Sequence, residues 1–550
     1  MPLSEDRGLS NNEKTRQKQT MRIASALSIG QFRRGPLLLF GTLVVGAFAA
    51  YEMAQYVIND DMNGLAYAGL CMAGGAIVLA ILNNWRNGVY FFLAWLLFED
   101  FARKFLGNNM VIYFAKDLFA LVVYISFFAA FRRKEVSFFR PPFLMPLLIF
   151  IWFGVLQIFN PASPSVWYGL MGVKMFFYYV PMIFIGYALL NSEEELRRFF
   201  TINMALAVVV ISLGIAQSVL GPSFLNPAQQ ADDLRQLSGL YRVSPITGAV
   251  AYRPTSVFVS ASRYADFVMV AWLLVLGFSG YLLLRQRRGR NFAFITVGVA
   301  AAGAFLTASR GAFMWAIISA IATSAAFVWG APWRQGEALR AFRGIQRAGL
   351  GIALAIVLVF IAFPDQLLSR VAIYQETLSP NSSASELTHR GWTYPVDNFM
   401  AAFNYERWPY GYGIGTTSLG GQYVARIFKV TPVGVGVESG FGALVLEMGI
   451  GGLILWVAMS VAILAAAWKV IKKLKGSPWF PLGFVIFWYA FIMFYPATFA
   501  GIQAYEDFLL NAYLWLLLGV LFRLPSIGLS AQFAANAPSP EATRRWRWIR

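Results

Sequence analysis

The chain reads as an all-α polytopic membrane protein on three observations. It is 58% hydrophobic and only 13% charged, with a mean hydropathy of +0.57, too apolar for a soluble protein of 550 residues. Its apolar runs repeatedly reach about 20 residues, the length that crosses a hydrocarbon core. None of these runs alternates with period two, which argues against a transmembrane β-barrel.

Length and hydropathy predict about 14 spans. They cover 35–58, 64–84, 87–106, 109–131, 141–160, 168–190, 199–220, 263–284, 291–309, 311–330, 348–364, 439–468, 479–501 and 505–524. A polar basic leader, 1–34, precedes the first run, and no small-residue cleavage site follows it. That run therefore reads as a retained helix, not a removed signal peptide. With the N-terminus in the cytoplasm, every second connection is cytoplasmic, including "FRRKE", "RQRRGR", "RQGEALRAFRGIQR" and "KVIKKLKG". Counting Arg523 at the inner end of the last span, these segments hold 31 of the 45 Lys+Arg but 9 of the 27 Asp+Glu. That is the positive-inside signature, and it puts both termini in the cytoplasm. The +18 net charge is thereby explained by topology, without a nucleic-acid partner.

The resulting plan has a leader at 1–34 and eleven spans over 35–364, interrupted by an outer loop at about 221–262. A large periplasmic loop follows at 365–438, then three spans over 439–524 and a cytoplasmic tail at 525–550. Outer loops this long are usually functional or disordered. The second is rich in Trp, Tyr, Phe and Gly, so it is expected to fold on the membrane surface. Its segments "VDNFMAAF" and "FNYERW" suit short interfacial amphipathic helices. The leader and tail have the composition of disordered ends.

Cysteine and histidine each occur once, as Cys71 and His389. Intramolecular disulfides and the usual zinc ligand sets are therefore excluded, and no metal or cofactor is expected. Ionisable groups at membrane depth are the functional candidates, because burying a charge is costly. Arg253 lies in "AYRPTSVF" before the eighth span, and Arg263 lies at that span's start. Arg310 sits in "TASRGAF", the tight turn between spans nine and ten. Arg390 and Arg407 flank the aromatic segment, and Glu438 opens span twelve. Five arginines and one carboxylate from distant positions share one side of the bilayer, as a site for a multiply anionic substrate requires. The plainer readings are arginines snorkelling to headgroups, Glu438 capping its helix, His389 on the surface, and "GYGIG" as a simple turn. Lys116–Asp117 reads as an internal pair, and Lys174 either as a packed charge or as a reach toward the outer site. Glu506 and Asp507 belong near the outer end of the last span.

The ordered set "TASRGAF", "HRGWTYPVDNFMAAF…WPYGYGIGTTS" and "ESGFGALVLEMGIGG" resembles the O-antigen ligase and O-antigen polymerase family of membrane glycosyltransferases. The matching region runs from about 250 to 470. One departure stands out: where ligases have histidine, this chain has Glu438, so the family's catalytic histidine does not carry over. The resemblance implies a GT-C-like architecture in a bacterial inner membrane, with the site facing the periplasm. It also implies glycan transfer from a polyprenyl diphosphate to an acceptor hydroxyl, without nucleotide sugar, cofactor or metal. Arg253, Arg390 and Glu438 are then the catalytic candidates, the arginines for the diphosphate and Glu438 as base. Arg310, Arg263, His389, Arg407 and Lys174 are candidate substrate contacts, with Trp392, Tyr394, Trp408 and Tyr410 as sugar platforms. The implied partners are the lipid-linked glycan, its glycan acceptor, membrane lipids, a flippase and a chain-length regulator. Polymerase, ligase and protein O-glycosyltransferase stay open within the family. A transporter is the reading from a different class, expected to place its polar groups near the midplane.

Overall fold

The computed structural model describes residues 55, 62–106, 110–136, 138–226, 240–244, 247–285, 289–332, 364–379, 392–431, 433–501 and 505–536. The chain divides into two units. In the smaller, helix α1 (Met62–Asn83) packs with residues 85–90 and 119–128. Ser126 Oγ donates to Ile81 O at 3.0 Å, and Trp85 meets Phe127 edge-on at 5.1 Å. Burying a hydroxyl between apolar helices is tolerated because a backbone carbonyl accepts from it.

The larger unit holds the rest of α2 (Trp85–Phe105) and α3 (Met110–Arg132). The helices α4 (Leu144–Leu156), α5 (Val166–Phe177), α6 (Met182–Leu189) and α7 (Glu193–Leu220) follow. Next come strands β1 (Tyr241–Val243) and β2 (Val250–Tyr252), then α8 (Ala261–Arg285), α9 (Arg290–Leu306) and α10 (Arg310–Gly330). The remainder is α11 (Pro364–Leu378), α12 (Tyr394–Ala401), α13 (Leu419–Phe428), α14 (Gly440–Leu474), α15 (Phe480–Ile492) and α16 (Phe508–Asn536). Eight helices among the described residues are long and apolar enough to cross a membrane, which marks a membrane-embedded protein. The predicted spans at 35–58 and 348–364 fall almost wholly outside the described residues.

Small residues set the closest helix crossings. A Cβ on Gly186 of α6 would sit 2.0 Å from Leu516 O of α16, and one on Gly519 would sit 2.1 Å from Ile183 O. Backbones this close are how helices associate where no hydrophobic driving force separates them from lipid. The apolar windows of α8 and α16 are the most deeply buried of the eight.

Two corrections concern the outer loops. The first contains an antiparallel hairpin, with Tyr241 opposite Tyr252 and Val243 opposite Val250, a departure from the all-α reading. Aromatic and β-branched residues on both arms favour that pairing. In the second loop, "VDNFMAAF" is helical, as α12 and a following 3₁₀ turn (Ala402–Asn404). "FNYERW" instead leaves that 3₁₀ turn at Tyr405 for a bend and turns, because Tyr405 departs from helical backbone at φ −86°, ψ 136° and Pro409 cannot extend a helix from there.

Candidate functional site

The "AYRPTSVF" segment is held by groups that sequence reasoning did not connect. Gln217, fully buried in α7, accepts at Oε1 from Thr255 N (2.8 Å) and Ser256 N (2.7 Å). The Lys104 ammonium donates to Thr255 Oγ1 (2.8 Å) and Ser256 O (2.7 Å). These bonds fix Ser256 at φ 50°, a conformation non-glycine residues adopt only when the surroundings impose it. Arg253 therefore leaves a rigid platform.

Arg310 comes from an equally constrained turn. Ala308 sits at φ 49°, Ser309 N donates to Thr307 Oγ1 at 3.2 Å, and the Ser309 side chain caps α10. Helix α11 lies against both segments, through a buried apolar contact of Ala251, Ala308 and Ile373. Arg370 on α11 is 1% exposed and donates to Tyr252 O (2.9 Å) and Leu306 O (3.3 Å). Tyr374 stacks on Phe313 at 4.2 Å and donates to Phe305 O at 2.7 Å. One turn of α11 thus ties the hairpin to the Arg310 turn.

The charges follow the same architecture. Arg242, Arg253 and Arg370 all act on Tyr374 electrostatically, and Arg310 acts on Glu376. Burial pulls the Arg253 guanidinium below its usual range, with Asp266 and Tyr374 working the other way. For Glu376, burial opposes ionisation, but hydrogen bonds from Ser244 and Thr247 outweigh it and hold the carboxyl below the ordinary glutamate range. The result is an arginine-rich patch braced by the Glu376 carboxylate. Arg370 and Glu376 were not singled out from sequence, since their roles depend on an amphipathic helix docking on a hairpin.

Arg263 and Lys174 have a different situation. Arg263 Nη1 pairs with Asp100 at 2.9 Å and its Nε lies 3.7 Å from Asp507. Arg103 also pairs with Asp100 at 2.9 Å. Lys174 pairs with Asp117 at 2.6 Å and Lys116 with Glu99 at 3.4 Å, and Asp117 also acts on Lys116 electrostatically. This is a layer of compensated charges, the arrangement a buried ion needs to persist. A small cavity with room for about one water is bounded there by Tyr113, Lys116, Asp117, Lys174, Tyr505 and Glu506.

The aromatic segment carries Glu438. The Tyr394 phenol donates to the Glu438 carboxylate, and Glu438 N donates to Asn398 Oδ1 at 3.3 Å. Ser439, not Glu438, caps α14 by accepting from Gly442 N, which leaves the Glu438 side chain outside the cap. Trp408 packs against Phe403 at 5.3 Å, within a small core built on Ala402, Val445 and Leu446. Trp392 and Tyr410 are exposed, at 71% and 79%, and Arg407 is exposed as well. His389 and Arg390 lie outside the described residues.

These groups share one end of the bundle. A Cβ on Gly501, after α15, would lie 2.8 Å from Glu438 O. Asp507, just before α16, reaches Arg263 in the first turn of α8, and Asp266 one turn on acts on Arg253. The arrangement offers fixed guanidinium groups for a polyanion and a carboxylate able to take a proton. No protein-family model, no curated protein and no solved structure matches this chain.

Proposed function

We propose that this protein polymerises polyprenyl-diphosphate-linked oligosaccharide repeat units at the outer face of a bacterial inner membrane. The observation that carries the reading is that helix α11 lies against both the Arg253 segment and the Arg310 turn, while Tyr394 holds the Glu438 carboxylate ahead of α14. In the reaction, an acceptor sugar hydroxyl attacks the anomeric carbon of the donor glycan. The bond from that carbon to the diphosphate oxygen breaks, and lipid diphosphate departs with the bonding electrons. Glu438 takes the hydroxyl proton, while Arg253, Arg310 and Arg390 stabilise the charge that develops on the leaving group. The exposed Trp392 and Tyr410 rings suit sugar stacking.

The test is direct. Purified protein in nanodiscs, given a lipid-diphosphate-linked oligosaccharide, makes longer lipid-linked chains with EDTA present. Transfer to a lipid core or a protein, without elongation, would instead identify a ligase or protein O-glycosyltransferase.

One observation favours a transporter. Helix α14 is broken at Gly449, next to the buried carboxyl of Glu447, and broken helices with polar groups at depth are a transporter device. Uptake of a solute into proteoliposomes without any glycan product would establish that reading.

A further inference from the structure

Glu447 takes no part in the chemistry proposed above, yet it joins the elements that carry it. The first part of α14 ends at Gly449, whose φ of 69° and ψ of −177° suit glycine alone; a Cβ there would lie 2.4 Å from Pro409 O. In an unbroken helix the carbonyls of Leu446 and Glu447 serve residues 450 and 451. Here Tyr412 N donates to Leu446 O at 2.7 Å and Gly413 N to Glu447 O at 3.0 Å. The "GYGIG" turn is thus docked in the helix break, about 10 Å below the start of α14 at 1.5 Å per residue. Irregular backbone persists at such depth only where protein satisfies its polar groups.

The Glu447 side chain completes the docking. It is fully buried, and its Oε1 accepts from Thr417 N (3.1 Å) and Thr417 Oγ1 (2.7 Å). The other end of the same segment carries Tyr394 and Asn398, which bind Glu438 just ahead of α14. Between the two anchors, Phe399, Phe403, Tyr405, Trp408 and Tyr412 pack on Val445 and Leu446. Segment 394–418 and residues 438–447 therefore form one packed body.

We infer that Glu447 is a positioning residue: by holding Thr417 it keeps the 411–417 turn in the break of α14, and so sets where Tyr394 and Glu438 stand. Its consequence for turnover rests on the glycan-transfer reading; the placement of the turn does not.

The experiment uses full-length protein with Cys71→Ser and a reporter, Ile414→Cys, at a fully buried turn position. N-Ethylmaleimide labelling is measured in membranes. The reporter is protected with Glu447 and with Glu447→Gln, which keeps an acceptor oxygen for Thr417. With Glu447→Ala it labels at least about tenfold faster as the turn opens locally. A second reporter, Ala467→Cys, buried further along α14, stays protected throughout. Polymer formation is lost in Glu447→Ala and kept in Glu447→Gln. Continued protection of Ile414→Cys in Glu447→Ala overturns the inference. So does equal exposure of Ala467→Cys, or normal polymer from the variant with the opened turn. If labelling behaves as expected while unsubstituted protein makes no glycan product, the glycan reading fails and the hold on the turn stands.

Discussion

The hydroxyl of Tyr394 donates to the carboxylate of Glu438, 44 residues further along the chain. With Ser439 acting as the helix cap, the Glu438 carboxylate is not taken up by capping α14. Glu438→Gln is expected to lower the rate of chain elongation by about 100-fold or more, the scale of losing a general base. Tyr394→Phe removes one charge-assisted bond and should cost only about tenfold. Both variants should remain folded in the membrane, with single repeat units accumulating on lipid. Radiolabelled lipid-linked products resolved by size give the readout.

Arg253 and Arg370 predict opposite phenotypes. Arg370 spans Tyr252 O and Leu306 O from a fully buried position, so Arg370→Met should destabilise the hairpin–α11 contact by about 1.5–3 kcal/mol. Arg253→Ala should stop elongation at a smaller cost in melting temperature than Arg370→Met, since Asp266 and Tyr374 also act on Arg253. Thermal unfolding followed beside product formation separates the two.

The Ser244–Glu376 bond makes a pH prediction. The folded carboxyl is held below its ordinary value, so the stability it contributes is present above the unfolded glutamate pKa, about 4.3. That contribution is lost as pH falls through the lower, folded value. Ser244→Ala should therefore be less stable than the parent at neutral pH, and the gap should close in acid. Melting curves across that range test it.

Gly449 and Gly434 form a matched pair. Gly449→Ala forces a side chain into positive φ against Pro409 O, with a strain cost of about 1–3 kcal/mol before the clash is counted. Gly434 has nothing within 4 Å of a Cβ, and Gly434→Ala should be silent. Limited proteolysis between residues 394 and 438 reports the difference.

For Arg263 the prediction separates structure from substrate binding. Asp100 is 1% exposed, and losing a partner of a buried pair costs about 3–5 kcal/mol. Arg263→Ala should be destabilised, and Arg263→Ala with Asp100→Asn should recover part of the loss. A double-mutant cycle on thermal stability measures the coupling.

Hydropathy alone located the long helices, because a span's length is set by the bilayer and not by its neighbours. Helix α8 begins at Ala261 and α10 at Arg310, within two residues of the predicted starts at 263 and 311. The hairpin and α11 were not legible. Their residues are polar enough for loop, and it is the buried contact of Ala251, Ala308 and Ile373 that selects their structure. Glu447 gave a readable sign, as a lone acid in an apolar span. Its partner Thr417 lies 30 residues away in a turn that sequence spacing cannot dock. The arginines were read as one set, whereas Arg263 belongs to the ion-paired layer and Arg253 and Arg310 to the α11 patch. Pairing with Asp100 is a tertiary fact that charge counting does not contain.

The most direct measurement is elongation of a polyprenyl-diphosphate-linked oligosaccharide by purified protein in EDTA, run beside Glu438→Gln and Arg253→Ala. Longer lipid-linked chains from the parent alone are the predicted result. Equal elongation by all three proteins, or none by a folded parent that instead moves solute across the bilayer, would contradict it.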